Sequence, residues 1–255
     1  MTTPPIAVQL YSVRDALAAD FEGVMREIAD MGYAGVELAG NYGAGGPAEA
    51  AAFIRSLGME ITSAHLGLPE GSDASEQINA AHALGTPNWV VPWIPPEKWT
   101  TRESVMEQIG LLNQTVKLAS AAGLKLFYHN HWFEFEAPAE LGGGTPFDLM
   151  MEHLDPAVLW EVDLYWVQVG GSDPAATLAR LGSRAPLLHL KDGPVTLEDA
   201  MTALGEGGMN YPSLLAPTRP DWLIVEIDRC ETDVVEAVRR SYTYLTAQGL
   251  AHGRT

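Results

Sequence analysis

Several short apolar runs of this chain end in, or close to, a residue that can bind a metal ion or move a proton. These residues are Glu37 in VELAG, His65 in ITSAHLG, His129 and His131 in LKLFYHNH, Asp163 in VLWEVDLYW, His189 in PLLHLKDG and Glu226 in WLIVEIDRC. A strand that is apolar up to its last residue is buried along its length and open at its tip. Several such tips pointing the same way would gather carboxylates and imidazoles, which suit a divalent cation. The pattern predicts a metal-dependent enzyme.

The elements that must position these residues alternate between strands and helices from end to end. The first strand is predicted at 6–12 and the first long helix at Phe21 to Met31, where apolar residues recur at helical spacing. Eight strands and roughly eight helices follow one another without a break in composition. With 255 residues, this count predicts the α/β class and a single (β/α)8 barrel spanning residues 1–255. No Gly-x-Gly-x-x-Gly follows an early strand, so a dinucleotide-binding fold has no support.

Helix ends are predicted from capping residues and glycines. Helices are expected at Pro47 to Leu57, at about Ser72 to Leu84 and near Pro146 to His153. Thr100 with Glu103 has capping-box spacing ahead of the fourth helix. In the same way, Asp173 is expected to cap the helix that runs through Leu181, and Thr232 to cap the last helix.

In a (β/α)8 barrel the active site forms at the C-terminal ends of the strands. Asp163, His189 and Glu226 fall at the ends of predicted strands six, seven and eight, which are neighbours in the barrel. Two carboxylates and one imidazole suit one divalent ion of the Mn²⁺, Mg²⁺, Co²⁺ or Zn²⁺ kind. These three residues are the firmest part of the predicted site.

The chain resembles the xylose-isomerase-like barrels of the sugar phosphate isomerase/epimerase group, and the resemblance covers nearly its whole length. The motifs that carry it are AVQLYSVRD, MGYAGVEL, SAHLG, YHNHWFEF, WEVDLYW, LLHLKDG and IVEID. The resemblance implies one divalent ion, Mn²⁺ ahead of the others, held by Glu, Asp, His and Glu on strands five to eight. The last three ligands correspond to Asp163, His189 and Glu226.

Strand five departs from the family pattern, because His129 stands where many relatives have Glu. His131, two residues on, faces the same way on a strand, and Glu134 follows in the loop. The fourth ligand is therefore His129, His131 or Glu134. An imidazole would also replace one of the two metal-bound glutamates that exchange a proton in epimerases of this family.

The resemblance predicts a sugar, keto-sugar or polyol isomerase or epimerase that transfers a proton next to a metal-polarised carbonyl. Glu226 with His129 or His131 would form the acid–base pair, since an imidazole donates or accepts near neutral pH. The same pair suits β-elimination, so a lyase of the inosose-dehydratase type is the alternative. A non-catalytic sugar-binding barrel is a further alternative.

Other residues have roles that follow from their position near strand tips. Lys191 shares a face with His189 and could neutralise developing negative charge or pair with Asp163 or Glu161. The residues expected to contact substrate are Gln9, Tyr11, Glu37, His65, Trp93 and Trp166, with Trp132 as a further aromatic near the mouth. Aromatic faces suit the C–H surfaces of sugars, although such residues also serve as ordinary packing.

The composition limits the partners. The formal net charge is −18, which disfavours binding to nucleic acid or to an anionic membrane surface. It also argues against a function like that of the DNA-repair endonucleases that share this barrel. With 15 Lys and Arg and no glycine-rich phosphate cradle, a neutral sugar is the expected substrate. The N-terminal segment lacks the features of a secretory signal, so a cytoplasmic location is expected. The single cysteine, Cys230, forms no internal disulfide framework, and the resemblance implies a homo-oligomer.

Overall fold

Eight parallel strands close a barrel in which each strand pairs with its neighbours in chain order. The protein is seen here in a computed structural model that describes residues 3–69, 71 and 73–254. The strands are β1 Ile6–Gln9, β2 Gly35–Leu38, β3 Glu60–His65, β4 Asn88–Val91, β5 Lys125–His129, β6 Leu159–Asp163, β7 Leu187–Leu190 and β8 Trp222–Val225. Pairing of β1 with β8 closes the sheet. The predicted (β/α)8 barrel is confirmed.

The helices pack around the outside of the sheet. They are α1 Arg14–Ala19, α2 Phe21–Met31, α3 Pro47–Ser56, α4 Ser75–Leu84, α5 Arg102–Ala121, α6 Pro146–His153, α7 Leu164–Val169, α8 Pro174–Leu181, α9 Tyr211–Leu215 and α10 Val234–Ala247. Within the described ranges, no helix combines the length and the apolarity needed to cross a membrane.

Predicted helix ends agree with the structure where one capping side chain stands alone, and differ by one residue where two compete. Asp173 caps α8 as predicted. The prediction of Thr100 with Glu103 was wrong, because Thr101 accepts from the Ser104 amide and forms the capping box of α5. The prediction of Thr232 was also wrong. The Asp233 carboxylate caps α10 by accepting from two backbone amides. The predicted third helix begins at Ser75, while Ser72 lies outside the described residues.

All eight strands are shorter than the runs that predicted them. Two of them, β1 and β6, end where the chain turns into a helix at the barrel mouth. β1 stops at Gln9, whose side chain accepts from the Tyr11 amide and starts a 3-10 turn. β6 stops at Asp163, whose carboxylate accepts from the Trp166 amide at 2.9 Å and caps α7. Tyr11 and Trp166 therefore sit on turns of helix above the strands.

The lower part of the barrel is filled by apolar side chains that point inward. Ala7, Val90, Phe127, Leu187 and Ile224 form one buried cluster, separate from the larger apolar layer between sheet and helices. Because strand side chains alternate between the two faces, residues two positions further along point into the same interior. In β5 and β7 those residues are His129 and His189.

Replacing Phe127 with alanine should destabilise the barrel strongly. Phe127 is 2% exposed, and truncating a buried Phe leaves a cavity that costs about 3–5 kcal/mol. Urea unfolding should show this loss. The control is Leu111→Ala on α5, where the side chain is 39% exposed and a change within about 0.5 kcal/mol is expected. Equal effects from the two variants would contradict the described packing.

Candidate active site

Polar side chains enter the barrel at two depths above the apolar floor. The inner cluster comprises Gln9, Glu37, His65 and Glu161, and the outer cluster comprises Asp163, Lys191, Glu226 and Asp228. Two imidazoles, those of His129 and His189, lie between the clusters and contact both. Apart from His65 and Asp228, all of these side chains are buried, with a residue exposure of 4% or less. Glu161 is two residues before Asp163 on the same strand, so it lies deeper in the barrel.

Glu37 is the most heavily hydrogen-bonded carboxylate of the inner cluster. It accepts from Gln9 Nε2 and from Ser63 Oγ, each at 2.5 Å. Its Oε1 also lies 2.8 Å from His189 Nε2 and 3.1 Å from His65 Nε2. Burial raises the pKa of Glu37, but the charges of His65 and His189 outweigh burial and hold this pKa well below its ordinary value.

One oxygen of the Glu161 carboxylate contacts three imidazoles. Its Oε2 lies 2.9 Å from His65 Nε2, 3.1 Å from His189 Nε2 and 3.2 Å from His129 Nδ1. Burial and the charge of Glu37 raise the pKa of Glu161. Burial lowers the pKa of His65, yet the two carboxylates raise it to about 10. The charges of the carboxylates and the imidazoles in the inner cluster therefore partly compensate one another.

The outer cluster is organised by the ammonium group of Lys191. Its Nζ lies 2.6 Å from Asp228 Oδ2, 2.8 Å from Glu226 Oε2 and 3.1 Å from Asp163 Oδ2. Burial lowers the pKa of Lys191, but these three carboxylates raise it well above its ordinary value. Burial raises the pKa of Asp163 to about 6. Burial also raises the pKa of Glu226, but Lys191 and His189 hold it well below its ordinary value.

The three strand-five candidates occupy different places. His129 is in contact with both clusters. His131 lies beside the aromatic residues of the mouth, with its ring 4.5 Å from that of Trp93, and burial with the Lys191 charge lowers its pKa well below its ordinary value. Glu134 accepts from the Tyr128 hydroxyl and from the His131 amide.

The structure brings together four of the predicted residues as possible metal ligands. One donor atom each from His129, Asp163, His189 and Glu226 lies within 4.8 Å of the others, and all four side chains are buried. His129 Nε2 is 4.0 Å from Asp163 Oδ2, and His189 Nδ1 is 2.8 Å from Glu226 Oε2. Glu134 lies outside this group.

Asp163 Oδ2 accepts no well-directed hydrogen bond within the described chain, and the ammonium of Lys191 lies 3.1 Å from it. A buried carboxylate oxygen in that state, beside two imidazoles and a second carboxylate, fits a divalent ion.

Above the outer cluster lies a cavity of about 520 Å³ with aromatic walls. Tyr11, Trp93, Trp132 and Trp166 contribute those walls, and His65, His129, His131, Lys191, Glu226 and Asp228 contribute polar groups. Trp93 is 45% exposed and Tyr11 44% exposed, so part of each ring is open to a ligand. The other two predicted substrate residues, Gln9 and Glu37, are fully buried and do not line the cavity.

The sequence did not predict Asp228 or Ser63 as part of the site. Glu161 was expected only as a possible partner of Lys191, and not as the centre of the inner cluster. Two of them had a signal in the period of two along a strand. Asp228 follows Glu226 by two residues, as Lys191 follows His189, and Glu161 precedes Asp163 by two. Ser63 had no such signal, because its role comes from Glu37 on the neighbouring strand.

Comparison with known proteins assigns the family. The model of the xylose isomerase-like TIM barrel family matches residues 25–245, and the chain belongs to this family. The resemblance inferred from the sequence motifs is thereby confirmed. A comparison with proteins of curated function gave no match.

Solved structures share the fold over nearly the whole chain. A sugar phosphate isomerase/epimerase from Parabacteroides distasonis is 23% identical, with a TM-score of 0.81 over 95% of this chain and 98% of that one. An L-ribulose 3-epimerase is 15% identical, with a TM-score of 0.69 over 98% and 95%. The probable 3-DHS dehydratase AsbF of Bacillus anthracis is 14% identical, with a TM-score of 0.72 over 95% and 98%. At these identities the likeness concerns the fold.

Glu134 should make stability fall as pH rises. Burial raises the pKa of Glu134 from 4.5 to about 8, so between these values the folded state binds more protons than the unfolded state. Stability therefore declines through this window, by at most about 1.4 kcal/mol per pH unit for one group. Urea unfolding should show that the free energy of unfolding of the unmodified protein, relative to that of Glu134→Gln, falls as pH rises through this window.

The matched control for this measurement is Glu136→Gln, at an exposed position two residues away. Its stability should run parallel to that of the unmodified protein at every pH. A Glu134→Gln variant that also runs parallel would contradict the raised pKa.

Proposed function

We propose that the chain is a divalent-metal-dependent isomerase or epimerase of a sugar, keto-sugar or polyol, working by proton transfer next to a carbonyl. The observation that carries this proposal is the buried group of His129, Asp163, His189 and Glu226 at the ends of four consecutive strands. It lies beneath a cavity large enough for a sugar. The family and its isomerase and epimerase neighbours support the class of reaction.

His129 Nε2, Asp163, His189 Nδ1 and Glu226 would hold the ion. A divalent ion there would polarise the substrate carbonyl and favour loss of the neighbouring proton. Family membership favours Mn²⁺, with Mg²⁺, Co²⁺ and Zn²⁺ as alternatives. Asp228 has a supporting role, since it lies 2.6 Å from Lys191 Nζ and can retain the ammonium when Asp163 and Glu226 turn to another cation.

Glu226 is the base in this proposal. Lys191 and His189 hold its pKa well below the ordinary value, so it is a carboxylate at neutral pH, and it lines the cavity. His131 is the candidate for the second proton position. Its lowered pKa leaves a neutral imidazole, which can accept a proton from the opposite side of a substrate.

Lys191 stays protonated, because three carboxylates surround it. It therefore serves as a positive charge or as an acid rather than as a base. It is also the one Lys or Arg among the described residues lining the cavity. Since its charge is already balanced, a neutral polyol fits this cavity better than a phosphorylated sugar.

The position of Lys191 also favours a second candidate function, a lyase or dehydratase. Its Nζ lies 2.8 Å from Glu226 Oε2, which places a protonated acid beside an ionised base on neighbouring strands. Glu226 could remove a proton next to the carbonyl while Lys191 donates one to the departing water or alcohol. The structural likeness to a dehydratase is consistent with this alternative.

Metal analysis of the purified protein should find a bound divalent ion, and its affinity for Mn²⁺ should fall at least about tenfold in Asp163→Asn. The reason is that this variant replaces a charged ligand by a neutral amide. Asp30→Asn is the matched control, because it removes an exposed carboxylate on α2 that is not part of the site. Absence of Mn²⁺ binding, or equal loss in both variants, would count against the proposed ion site.

Turnover of keto-sugars in D₂O should distinguish the two reactions. An isomerase or epimerase incorporates solvent deuterium into a product of unchanged mass apart from the label, whereas a lyase releases water or an alcohol. Either activity should fall about 10²–10⁴-fold in Glu226→Gln, the range expected for loss of a general base. The control is His82→Gln on α4, far from the cavity. Undiminished activity in Glu226→Gln would exclude this residue as the base.

A further inference from the structure

The inner cluster and the two imidazoles beside it have the geometry of a second ion site, which shares His129 and His189 with the one in the outer cluster. Its donor atoms are His65 Nε2, His129 Nδ1, His189 Nε2 and Glu161 Oε2, which all lie within 4.8 Å of one another. The three nitrogens are 2.9–3.2 Å from the Glu161 oxygen. Around an ion with metal–nitrogen bonds of about 2.0–2.1 Å, tetrahedral ligands are separated by roughly 3.3 Å. The three nitrogen–oxygen distances are close to that value.

Hydrogen bonding leaves part of this group unsatisfied. His129 Nδ1 and Glu161 Oε1 are buried and have no hydrogen-bond partner in the described chain. His129 Nδ1 is 3.2 Å from Glu161 Oε2, but the direction of this contact does not make a hydrogen bond. A buried nitrogen without a partner is costly, and an ion among these four atoms would satisfy it.

Charge balance also suits a dication. Glu37 and Glu161 bring two negative charges, and Glu37 Oε1 lies against the nitrogens of His65 and His189. A divalent ion with neutral imidazoles would make this buried cluster electrically neutral. His65, which lines the cavity, gives the ion a route from solvent.

We propose that the inner cluster binds a divalent ion of the zinc class in tetrahedral coordination by His65, His129, Glu161 and His189. Three imidazoles and one carboxylate are a donor set that prefers Zn²⁺ or Co²⁺ over Mn²⁺ or Mg²⁺. The outer cluster has two carboxylates instead and is better suited to the harder ions.

The two sites exclude each other through His189. A neutral imidazole has one free lone pair and one N–H. With an ion in the inner cluster, Nε2 is the ligand and the Nδ1–H donates to Glu226 at 2.8 Å. With an ion in the outer cluster, Nδ1 is the ligand and the Nε2–H donates to Glu37 at 2.8 Å. Both tautomers are satisfied, but one ring serves one ion at a time.

Loading the metal-free, full-length protein with Co²⁺ tests this proposal, because tetrahedral Co²⁺ absorbs visible light far more strongly than octahedral Co²⁺. We expect intense visible bands from one Co²⁺ per chain, and Zn²⁺ should bleach them. The bands should disappear in Glu161→Gln and in His65→Ala. They should persist in Asp163→Asn, which alters only the outer cluster.

The outcomes separate this proposal from the proposed function, on which it does not depend. Bands that survive in Glu161→Gln and His65→Ala, or that are lost in Asp163→Asn alone, would place the ion in the outer cluster and overturn the inference. Two Co²⁺ ions per chain would overturn the mutual exclusion. Far-UV circular dichroism checks folding, and His65→Gln, at the edge of the cavity, replaces any variant that does not fold.

Discussion

Charge compensation inside the barrel is the constraint on which the rest of this site depends. Four carboxylates, from Glu37, Glu161, Asp163 and Glu226, are buried at the strand ends. Isolated charges in such a place would cost several kcal/mol each. They persist because imidazoles and one ammonium group lie within about 3 Å of them. Removing any one of these cations or carboxylates would therefore leave a buried charge without its partner and destabilise the barrel interior.

Barrel geometry decides which charges meet. A strand places every second side chain inward, so a pair of polar residues two apart contributes one group at each depth. Glu161 with Asp163 forms such a pair on β6. His189 on β7 and Lys191, which directly follows this strand, form another, and Lys191 contacts Asp163 and Glu226 in the outer cluster. Eight strands with a common direction then bring residues together that are far apart in the chain, as with Glu37 and His189, 152 positions apart.

This geometry explains how much could be predicted from the sequence. The barrel followed from the alternation of elements, and Asp163, His189 and Glu226 followed from apolar runs ending in polar residues. A strand pattern gives the face of a side chain but not its partner across the barrel. The contacts of Glu161 depend on that partner. The hydrogen bond that Glu134 accepts from Tyr128 depends instead on the path of the loop after β5. The capping residues Thr101 and Asp233 were missed because an adjacent threonine offered an equally good pattern.

The histidine at position 129 on β5 changes which donor atoms the inner and outer clusters receive from this strand. A glutamate at this position would offer oxygens on one carboxylate, whereas His129 offers Nδ1 toward Glu161 at 3.2 Å and Nε2 toward Asp163 at 4.0 Å. The rings of His129 and His189 each have one nitrogen toward the inner cluster and one toward the outer cluster. Because a neutral ring presents its lone pair to one side only, a proton on either nitrogen decides which cluster can bind an ion. Glu37 on one side and Glu226 on the other contact the two nitrogens of His189. In the proposed arrangement, an ion in one cluster would leave His189 with a single proton, which the carboxylate on the opposite side would accept.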